Sequence, residues 1–401
     1  MIDAAASFQG SDGKTGLDPC EQGSGRIEVL PADSTALALY AELCAGGIFA
    51  PAQSALWVRN WTAHAKPDGL IAAIIVNGRA VFALALEIVN SGPFRVARFM
   101  GGSHANGNFP ATLRSWLASE TSVAVNAVIR AIHAARPDID AILLQRVATN
   151  LDSVENPLLA LRHAPSPNLA LAVKLDGGFE AVLERAPAKR LAKRHRKQQR
   201  KFEAAGGFRR ITARSPQDAI GMFDAFLAMK AERFRELGVA NVFDGPHIRA
   251  FFQALFVGAL NETRPSFVLH GLEVDGRLRA ITGTSICGKR LICEFGAISS
   301  ANLPGSSPGE FLFFDNIREA CETEYQIYDF SVGDEPYKRS WCDIETRHVD
   351  ILLPLTAKGR VLTATTRLAA WLKAFVKGNP LIWRLVKTVR RRTARTAMRD
   401  E

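Results

Sequence analysis

The sequence lacks the features by which several classes of protein are recognised. Its six cysteines, at positions 20, 44, 287, 293, 321 and 342, form no C-x-x-C pair, and no group of histidines completes a zinc site. Scattered cysteines of this kind are usually buried thiols. We therefore expect reduced cysteines, no bound metal and a cytoplasmic location.

Long apolar segments are also missing. No run of about 18 apolar residues occurs, so the sequence predicts no transmembrane helix. Residues 1–26 are rich in glycine, serine and aspartate and contain neither the basic nor the apolar region of a signal peptide. We expect this segment to form a disordered N-terminal tail.

Positive charge is concentrated in one place rather than spread along the chain. The 401 residues have a net charge of +10, and residues 185–201 contain nine Lys or Arg and no acid. Less polar side chains recur there at helical spacing, namely Leu191, His195, Gln198 and Phe202. We expect a helix that packs on the protein by this face and ends at Gly206-Gly207.

Three interpretations of this basic helix remain open. Its charged face is solvated, or it forms a cationic wall for acidic ligands such as CoA phosphates, an anionic saccharide or a lipid head group, or it binds nucleic acid. Nucleic acid is the least favoured, because no stacking aromatics are interleaved and no recognition motif accompanies the charge.

Two parts of the chain follow the same order. "VNGRAVFALALE…FRVARFMGG" parallels "VDGRLRAITGTS…RLICEFGAI", each with an Asn/Asp-Gly-Arg turn, a strand and a further strand about twenty residues on. Asn77-Gly78 suits a type I′ hairpin turn, and Asp275-Gly276 marks the second hairpin. The predicted fold is α/β with two copies of one unit, residues 27–172 and 173–356.

A basic tail, residues 357–401, follows the second copy. It contains two amphipathic helical patterns separated by Asn379-Pro380 and a run of three arginines, residues 390–392. Two interpretations remain open. Residues 361–398 make peripheral contact with the inner face of a membrane, or the helices pack on the catalytic domain.

The strongest chemical signal lies in residues 294–341. A predicted strand ends at Ser299, a loop rich in Gly, Ser and Pro follows, and a predicted helix begins near Glu310. A helix N-terminus behind such a loop offers N–H groups and a positive dipole end to phosphate, although Glu310 competes for that end. The alternative is an ordinary helix start with Pro308 and Ser307 as turn and cap.

This region resembles the GNAT acyltransferases. Asn302-x-x-Gly305-x-Ser307 is a degenerate version of their acyl-CoA loop, Q/R-x-x-G-x-G/A. More specifically, residues 170–350 resemble the CelD type, associated with cellulose and exopolysaccharide synthesis. The features shared with that type are Pro308-Gly309, Asp329-Phe330, Gly333, Tyr337-Lys338, Trp341 and a basic segment that runs into a glycine.

The resemblance implies two tandem GNAT-like domains, with mixed, mostly antiparallel sheets flanked by helices. The second domain is expected to bind acyl-CoA through Asn302, Gly305, Ser307, Pro308 and Gly309. The first has "FMGGSHANGNFP" in place of the loop, so we expect it to bind no CoA. The implied reaction transfers an acetyl or longer acyl group to an amine or hydroxyl of a sugar-like or polysaccharide-precursor acceptor.

Acyl transfer to an amine requires a base, a stabilised oxyanion and a leaving thiolate. Glu294, on the strand before the loop, is the candidate base, with a solvated strand glutamate as the alternative. His270 is a second candidate for the base, although a lone histidine is more often structural.

The remaining site residues follow mainly from the resemblance. Lys338 is expected to hold the acyl carbonyl or a substrate carboxylate, and Tyr337 to protonate the thiolate. Asp329 would need a bonding partner if it is buried. Its expected role is to orient Lys338 or the substrate amine, or alternatively to stabilise the domain. The predicted substrate-binding residues are Lys230, Arg233 and Trp341.

Two other functions compete with this one. The degenerate loop keeps open a non-catalytic GNAT-fold binding protein that serves an exopolysaccharide machinery. The related Fem-type aminoacyltransferases share the duplication and a lysine after the last strand, which Lys338 matches. They use aminoacyl-tRNA, so a tRNA-dependent transferase is the third hypothesis.

Overall fold

The computed structural model describes residues 25–118, 121–185, 188–299 and 305–378. Residues 1–24 of the predicted N-terminal tail lie outside this part of the chain, as do residues 379–401 of the basic tail. Asn302, predicted to contact CoA, also lies outside the described residues.

One mixed β-sheet extends through both halves of the protein. The N-terminal half supplies β1 (Arg26–Pro31), β2 (Asp68–Val76), β3 (Arg79–Ser91), β4 (Phe94–Phe99), β5 (Ala111–Thr112), β6 (Ala141–Val147) and β9 (His163–Lys174). A separate two-stranded sheet consists of β7 (Asn150–Leu151) and β8 (Val154–Glu155). The C-terminal half supplies β10 (Phe208–Thr212), β11 (Phe267–Val274), β12 (Arg277–Cys287), β13 (Arg290–Ile298), β14 (Ile327–Val332) and β15 (Ile344–Pro354).

Helices flank this sheet. They are α1 (Ser34–Gly46), α2 (Ala55–Ala65), α3 (Thr121–Ala135), α4 (Gly178–Arg185), α5 (Ala188–Ala204), α6 (Pro216–Leu237), α7 (Pro246–Ala259), α8 (Pro308–Cys321), α9 (Pro336–Arg339) and α10 (Ala357–Gly378). Local signals set their ends. Asp33 accepts a hydrogen bond from the Ala36 N–H and caps α1, while Ser215 and Asp218 form a capping box at the start of α6.

The two halves of the sheet are built in the same way. Across the sheet the strand order is β1-β2-β3-β4-β6-β15-β9-β14-β13-β12-β11-β10. From each outer edge, four antiparallel strands are followed by a parallel neighbour, β6 beside β4 in one half and β14 beside β13 in the other. The predicted architecture of two tandem α/β units with mixed, mostly antiparallel sheets is therefore confirmed.

The halves exchange their last strands. β9 pairs with β14 of the C-terminal half, β15 pairs with β6 of the N-terminal half, and β9 and β15 pair with each other in the middle. The predicted boundary between residues 172 and 173 falls inside β9. The domain boundaries themselves remain a prediction.

The two predicted hairpin turns have the same backbone geometry. Asn77 and Gly78 have φ values of 50° and 78°, and Asp275 and Gly276 have 53° and 65°. Positive φ at both central positions is the type I′ geometry that Asn-Gly and Asp-Gly favour. Each turn also follows a register shift in the preceding strand, between Ile74 and Ile75 and between Leu272 and Glu273.

A shared apolar core joins the two halves. Trp57 and Trp61 on α2 each meet Phe251 on α7 edge-on, with ring centroids 4.9 Å apart. The same buried cluster extends to Phe223 and other aromatic residues of α6 and α7. The halves are thus joined by side-chain packing as well as by the sheet.

The described part of the basic tail packs on the sheet where β15 of the C-terminal half joins the strands of the N-terminal half. Helix α10 lies against β15, β6 and β4. At Gly359 a Cβ atom would be 1.8 Å from the Asp140 carbonyl oxygen, so only glycine permits this approach. The start of the tail therefore packs on the sheet, and membrane contact of residues 361–398 stays a prediction. None of the helices in the described part of the chain combines the length and the hydropathy that crossing a membrane requires.

Candidate active site

A cleft opens where two neighbouring strands of the C-terminal half diverge. β13 and β14 pair only between residues 290–292 and 327–329, although both strands continue beyond this point. The cleft between them has a volume of about 480 Å³. Its charged and aromatic lining includes Lys230, Glu294, Phe313, Phe330, Tyr337 and Lys338.

Glu294 places a carboxylate in this cleft from the middle of β13. Its Oε1 accepts a hydrogen bond from Ser285 Oγ at 2.6 Å, and its Oε2 accepts one from Asn106 Nδ2 at 3.4 Å. Burial raises the pKa of Glu294 to about 7, while the two donors oppose the rise because they favour the ionised form. A carboxyl group that titrates near neutral pH suits a general base.

Lys230 reaches the cleft from α6. Its Nζ lies 5.7 to 5.9 Å from the ring centroids of Phe226, Phe234 and Phe243. Burial lowers the pKa of this ammonium group. The structure therefore places the predicted substrate-binding lysine at the same cleft as Glu294, held by aromatic faces.

Tyr337 and Lys338 border the cleft from α9. The Tyr337 ring stacks on Phe313 with centroids 5.4 Å apart, and burial raises the pKa of its phenol. Lys338 is buried and donates from Nζ to the Val332 carbonyl at 3.1 Å and to Glu335 at 2.9 Å. Both residues thus line the same cleft as Glu294.

Asp329 is placed differently. It has the partner that the sequence requires of a buried carboxylate, since Arg290 Nη1 donates to Oδ2 at 2.7 Å and the Ser331 N–H donates to Oδ1 at 2.7 Å. Within the described residues these bonds do not include Lys338, and Asp329 does not line the cleft. Of its two predicted roles, the structure favours stabilisation of the domain.

The predicted cofactor loop adjoins the cleft at the start of α8. Ser307 and Gly309 both line the cleft. The N–H groups of Gly309 and Glu310 belong to the first turn of α8, where the helix itself supplies no acceptor. The Ser307 N–H is used differently, because it donates to Gln198 Oε1 at 3.1 Å. Gly305 has a φ of 65°, which glycine adopts without strain.

The basic helix, α5, lies against this loop. Lys201 Nζ donates to the Gly305 carbonyl at 2.8 Å, and Arg194 pairs with Glu310 at 2.6 Å. This pairing offsets the negative charge that competes with phosphate at the N-terminus of α8. The contacts favour the interpretation of α5 as a cationic wall beside the cleft.

The predicted apolar face holds α5 in place. Phe202 and Gln198 are buried, and Leu191 packs against the core of the C-terminal half. The His195 ring stacks on Phe311 and Phe314, with centroids 4.1 and 3.9 Å away, and bonds to a nearby aspartate. The sequence therefore identifies correctly which face of α5 packs on the protein.

Three other candidates lie outside the cleft lining. Arg233 is exposed on α6 and pairs with Glu236 at 3.0 Å. Trp341 is buried against Phe314 and borders a small separate cavity beside α5. His270 is buried beside Arg210, and burial lowers its pKa to about 3. The structure thus separates these residues from Glu294.

Two residues that contact Glu294 were not predicted from the sequence. Ser285 lies on the neighbouring strand β12, and Asn106 belongs to the N-terminal half, 188 residues away in the chain. Asn106 and Glu294 also border a second cavity of about 80 Å³ between the halves. Ser285 pairs with Ile292, and Glu294 lies at a register shift between β12 and β13, so regular strand pairing does not predict either contact.

A comparison with known families agrees with this geometry. Residues 189–339 match the family model of the acetyltransferase (GNAT) domain. This part of the chain is thus similar to the GNAT acetyltransferase domain. The match extends from α5 through the cleft strands and α8 to the end of α9, and the predicted GNAT-like fold is confirmed. The match does not specify the CelD type.

Solved structures share the fold at low sequence identity. FemX is 11% identical, with a TM-score of 0.54 over 81% of this chain and 97% of that one. A conserved protein of unknown function from Bacteroides thetaiotaomicron is 13% identical, with a TM-score of 0.50 over 79% and 97%. No curated protein sequence matches this chain.

In the described residues, no group of three His, Cys, Asp or Glu side chains is arranged to hold a metal ion.

Proposed function

We propose that the protein is an acyl-CoA-dependent acyltransferase whose active site is the cleft between β13 and β14. GNAT domains typically use acyl-CoA, and the domain match supports this class of enzyme. The observation that carries the proposal is the Glu294 carboxylate, which borders the cleft and has a pKa of about 7. Perturbed acids in clefts are candidates for catalysis, which favours an enzyme over a non-catalytic binding protein.

The surroundings of the cleft suit a CoA thioester. Phosphates would lie at the N-terminus of α8, where backbone N–H groups, the helix dipole and the basic side chains of α5 favour negative charge. The acyl end would extend between β13 and β14 towards Glu294. This placement retains Gly305, Ser307, Pro308 and Gly309 as the proposed cofactor loop, with the Ser307 N–H already occupied by Gln198.

The reaction requires two proton transfers, one from the acceptor nucleophile and one to the leaving thiolate. Glu294 takes a proton from the acceptor amine or hydroxyl as its nitrogen or oxygen bonds to the thioester carbonyl carbon. The C–S bond then breaks, and Tyr337, whose phenol is protonated at neutral pH at its ordinary pKa of about 10, donates a proton to the thiolate. Lys338 and Lys230 supply positive charge at the same cleft.

The acceptor is proposed from the CelD resemblance. It is an amine or hydroxyl of a sugar-like or polysaccharide-precursor molecule, and the acyl group is acetyl or longer. The volume of about 480 Å³ is within the range of small-molecule sites. A screen of amino sugars and saccharide precursors with acetyl-CoA would identify the acceptor.

Titration calorimetry with acetyl-CoA, free CoA and tRNA tests the proposal. Gly309→Asp places a carboxylate at the start of α8, and a Cβ there would lie 2.8 Å from the Ile298 side chain. We expect acetyl-CoA binding to be lost. Gly221→Asp is the matched control, because Gly221 is exposed on α6 and has open space around it.

The outcomes separate the three hypotheses. Acetyl-CoA binding that Gly309→Asp abolishes and Gly221→Asp preserves supports the acyl-CoA enzyme. Strong, salt-sensitive tRNA binding without acetyl-CoA binding would favour a Fem-type transferase. Acetyl-CoA binding without hydrolysis or transfer to any acceptor would favour the non-catalytic protein.

A further inference from the structure

The carboxylate of Glu294 is held by both halves of the protein. Ser285, on β12 of the C-terminal half, donates to Oε1 at 2.6 Å. Asn106, in the loop after β4 of the N-terminal half, donates to Oε2 at 3.4 Å. The N-terminal half, in which we predict no CoA site, therefore contacts the candidate base directly.

Arg146 fixes the orientation of the Asn106 amide. Arg146 Nη1 lies 2.6 Å from Asn106 Oδ1 and 2.8 Å from the Ser103 carbonyl oxygen. A guanidinium group has only donors, so the Asn106 atom that it contacts must be the oxygen. The amide NH₂ then points to Glu294, where it can only donate.

Arg146 is itself held in an unusual backbone conformation. Its φ is 53°, a positive value that is uncommon for a residue other than glycine, near the end of β6. Its N–H donates to Asp350 Oδ1 on β15 at 2.9 Å, and its carbonyl accepts from the Asn108 N–H at 2.8 Å. Backbone strain of this kind is common at functional sites.

We infer that the N-terminal half completes the active site, with Arg146 orienting Asn106 and Asn106 positioning the carboxylate of Glu294. Asn106 is a positioning residue, because it acts through Glu294. The inference rests on the proposed function, in which Glu294 is the base. It assigns a purpose to the loop "FMGGSHANGNFP" other than CoA binding.

Other titratable groups surround this carboxylate. They belong to the loop after β4 and to α6, β12, β13, β14, α8 and the α9 region, and they are His104, Lys230, Cys287, Cys293, Glu310, Asp329, Glu335, Tyr337 and Lys338. Asn106 is uncharged and donates a hydrogen bond to the ionised form. Loss of the Asn106 amide is therefore expected to raise the pKa of Glu294. A negative charge in its place would raise this pKa further.

The ionisation of Glu294 can be followed without any enzymatic assay. In protein labelled with ¹³C at the glutamate side-chain carboxyl carbon, the signal that disappears in Glu294→Gln belongs to Glu294. In Asn106→Ala we expect its titration midpoint to rise by about half to one pH unit, as loss of one hydrogen bond implies. Asn106→Asp should raise it more, because a second carboxylate then faces the first.

Two further variants make the test specific. Arg146→Ala should also raise the midpoint, because it frees the Asn106 amide to rotate, and it replaces the Asn106 variants if they do not fold. Asn60→Ala is the matched control, since the Asn60 side chain donates to the Leu56 carbonyl within α2. The control should leave the midpoint of Glu294 unchanged.

Unchanged midpoints in the Asn106 or Arg146 variants would overturn the inference, whether or not the protein transfers acyl groups. Raised midpoints in a protein that neither binds acetyl-CoA nor acylates an acceptor would refute the proposed function and support the positioning contact. If both hold, the pH profile of kcat/KM should move with the titration midpoint, and acetyl-CoA affinity should stay unchanged.

Discussion

At the scale of single residues, Glu294 is the group on which the proposed chemistry depends. Its position on the strand before the cofactor loop is visible in the sequence, but its pKa is not. Burial disfavours the charged form, and Ser285 and Asn106 partly restore it. The balance leaves a carboxyl group that changes charge near pH 7, where a general base is most useful.

Replacement of this carboxylate should remove the chemistry and leave binding intact. We expect Glu294→Gln to lower kcat by roughly 10²–10⁴-fold, the usual contribution of a general base, with unchanged acetyl-CoA affinity. In the wild type the rate should rise with pH through about 7, because only the ionised form accepts a proton. Glu324→Gln, at a side chain 79% exposed, is the control. Equal rates for Glu294→Gln and wild type would contradict the assignment.

The same residue should make stability depend on pH. The pKa of Glu294 is about 7 in the folded protein against an ordinary value of 4.5, so the folded state holds more protons between these values. Stability then falls as pH rises through this window. In urea titrations, Glu294→Gln should match the wild type near pH 4, below this window, and exceed it near pH 8. The gain should be of the order of 1–3 kcal/mol, because water in the open cleft screens part of the effect. An equal difference at both pH values would show that Glu294 does not titrate there.

Sequence reasoning identified part of this site. Glu294, Tyr337 and Lys338 lie at one cleft because they flank two adjacent strands that diverge. Arg233 and Trp341 were predicted by resemblance alone, and the structure places them outside the cleft lining. Asn106 and its contact to Glu294 arise from tertiary packing, for which the local sequence carries no signal.

At the scale of elements, the structure shows what the basic helix α5 contacts. The face of α5 that helical spacing predicts to be buried packs on α8. Two basic side chains of α5 contact the loop before α8 and the first turn of α8. Spacing alone could identify the buried face because helical periodicity is local. The neighbour of the charged face could not be predicted in this way, because more than a hundred residues separate α5 from α8.

The contact of Lys201 on α5 with the loop before α8 allows a test of whether the CoA phosphates bind there. Lys201→Ala removes a cation and its hydrogen bond to the Gly305 carbonyl. We expect acetyl-CoA affinity to fall roughly fivefold, as the loss of about 1 kcal/mol implies, and S-acetylpantetheine affinity to stay unchanged because that thioester lacks the nucleotide phosphates. Lys193→Ala, exposed on the same helix, is the matched control. Equal losses for both thioesters would argue against phosphate binding at this loop.

At the scale of the whole molecule, the reciprocal exchange of β9 and β15 joins the halves. Each half of the sheet is completed by a strand from the other half, and the aromatic cluster around Trp57 and Phe251 adds a shared core. Asn106 and Glu294 are brought together by this arrangement. The two repeated units therefore share one continuous sheet.

Separation of the halves should abolish folding. A chain cut between residues 172 and 173 leaves the N-terminal fragment without β15 and divides β9. We expect each fragment alone to lack a cooperative urea transition, and the intact chain to unfold in a single transition seen by circular dichroism and tryptophan fluorescence. Co-expression of the two fragments is the control, because together they supply every strand. A cooperative transition for either isolated fragment would show that the exchange is dispensable.

The sequence alone determined what depends on neighbouring residues. The Asn-Gly and Asp-Gly turns, the caps of α1 and α6, the packed face of α5 and the loop before α8 each depend on a few adjacent side chains. Tertiary structure decided the strand exchange, the Arg290 partner of Asp329 and the contact of Asn106 with Glu294. These contacts join residues far apart in the chain, and their geometry follows from the packing of the whole sheet rather than from any local preference.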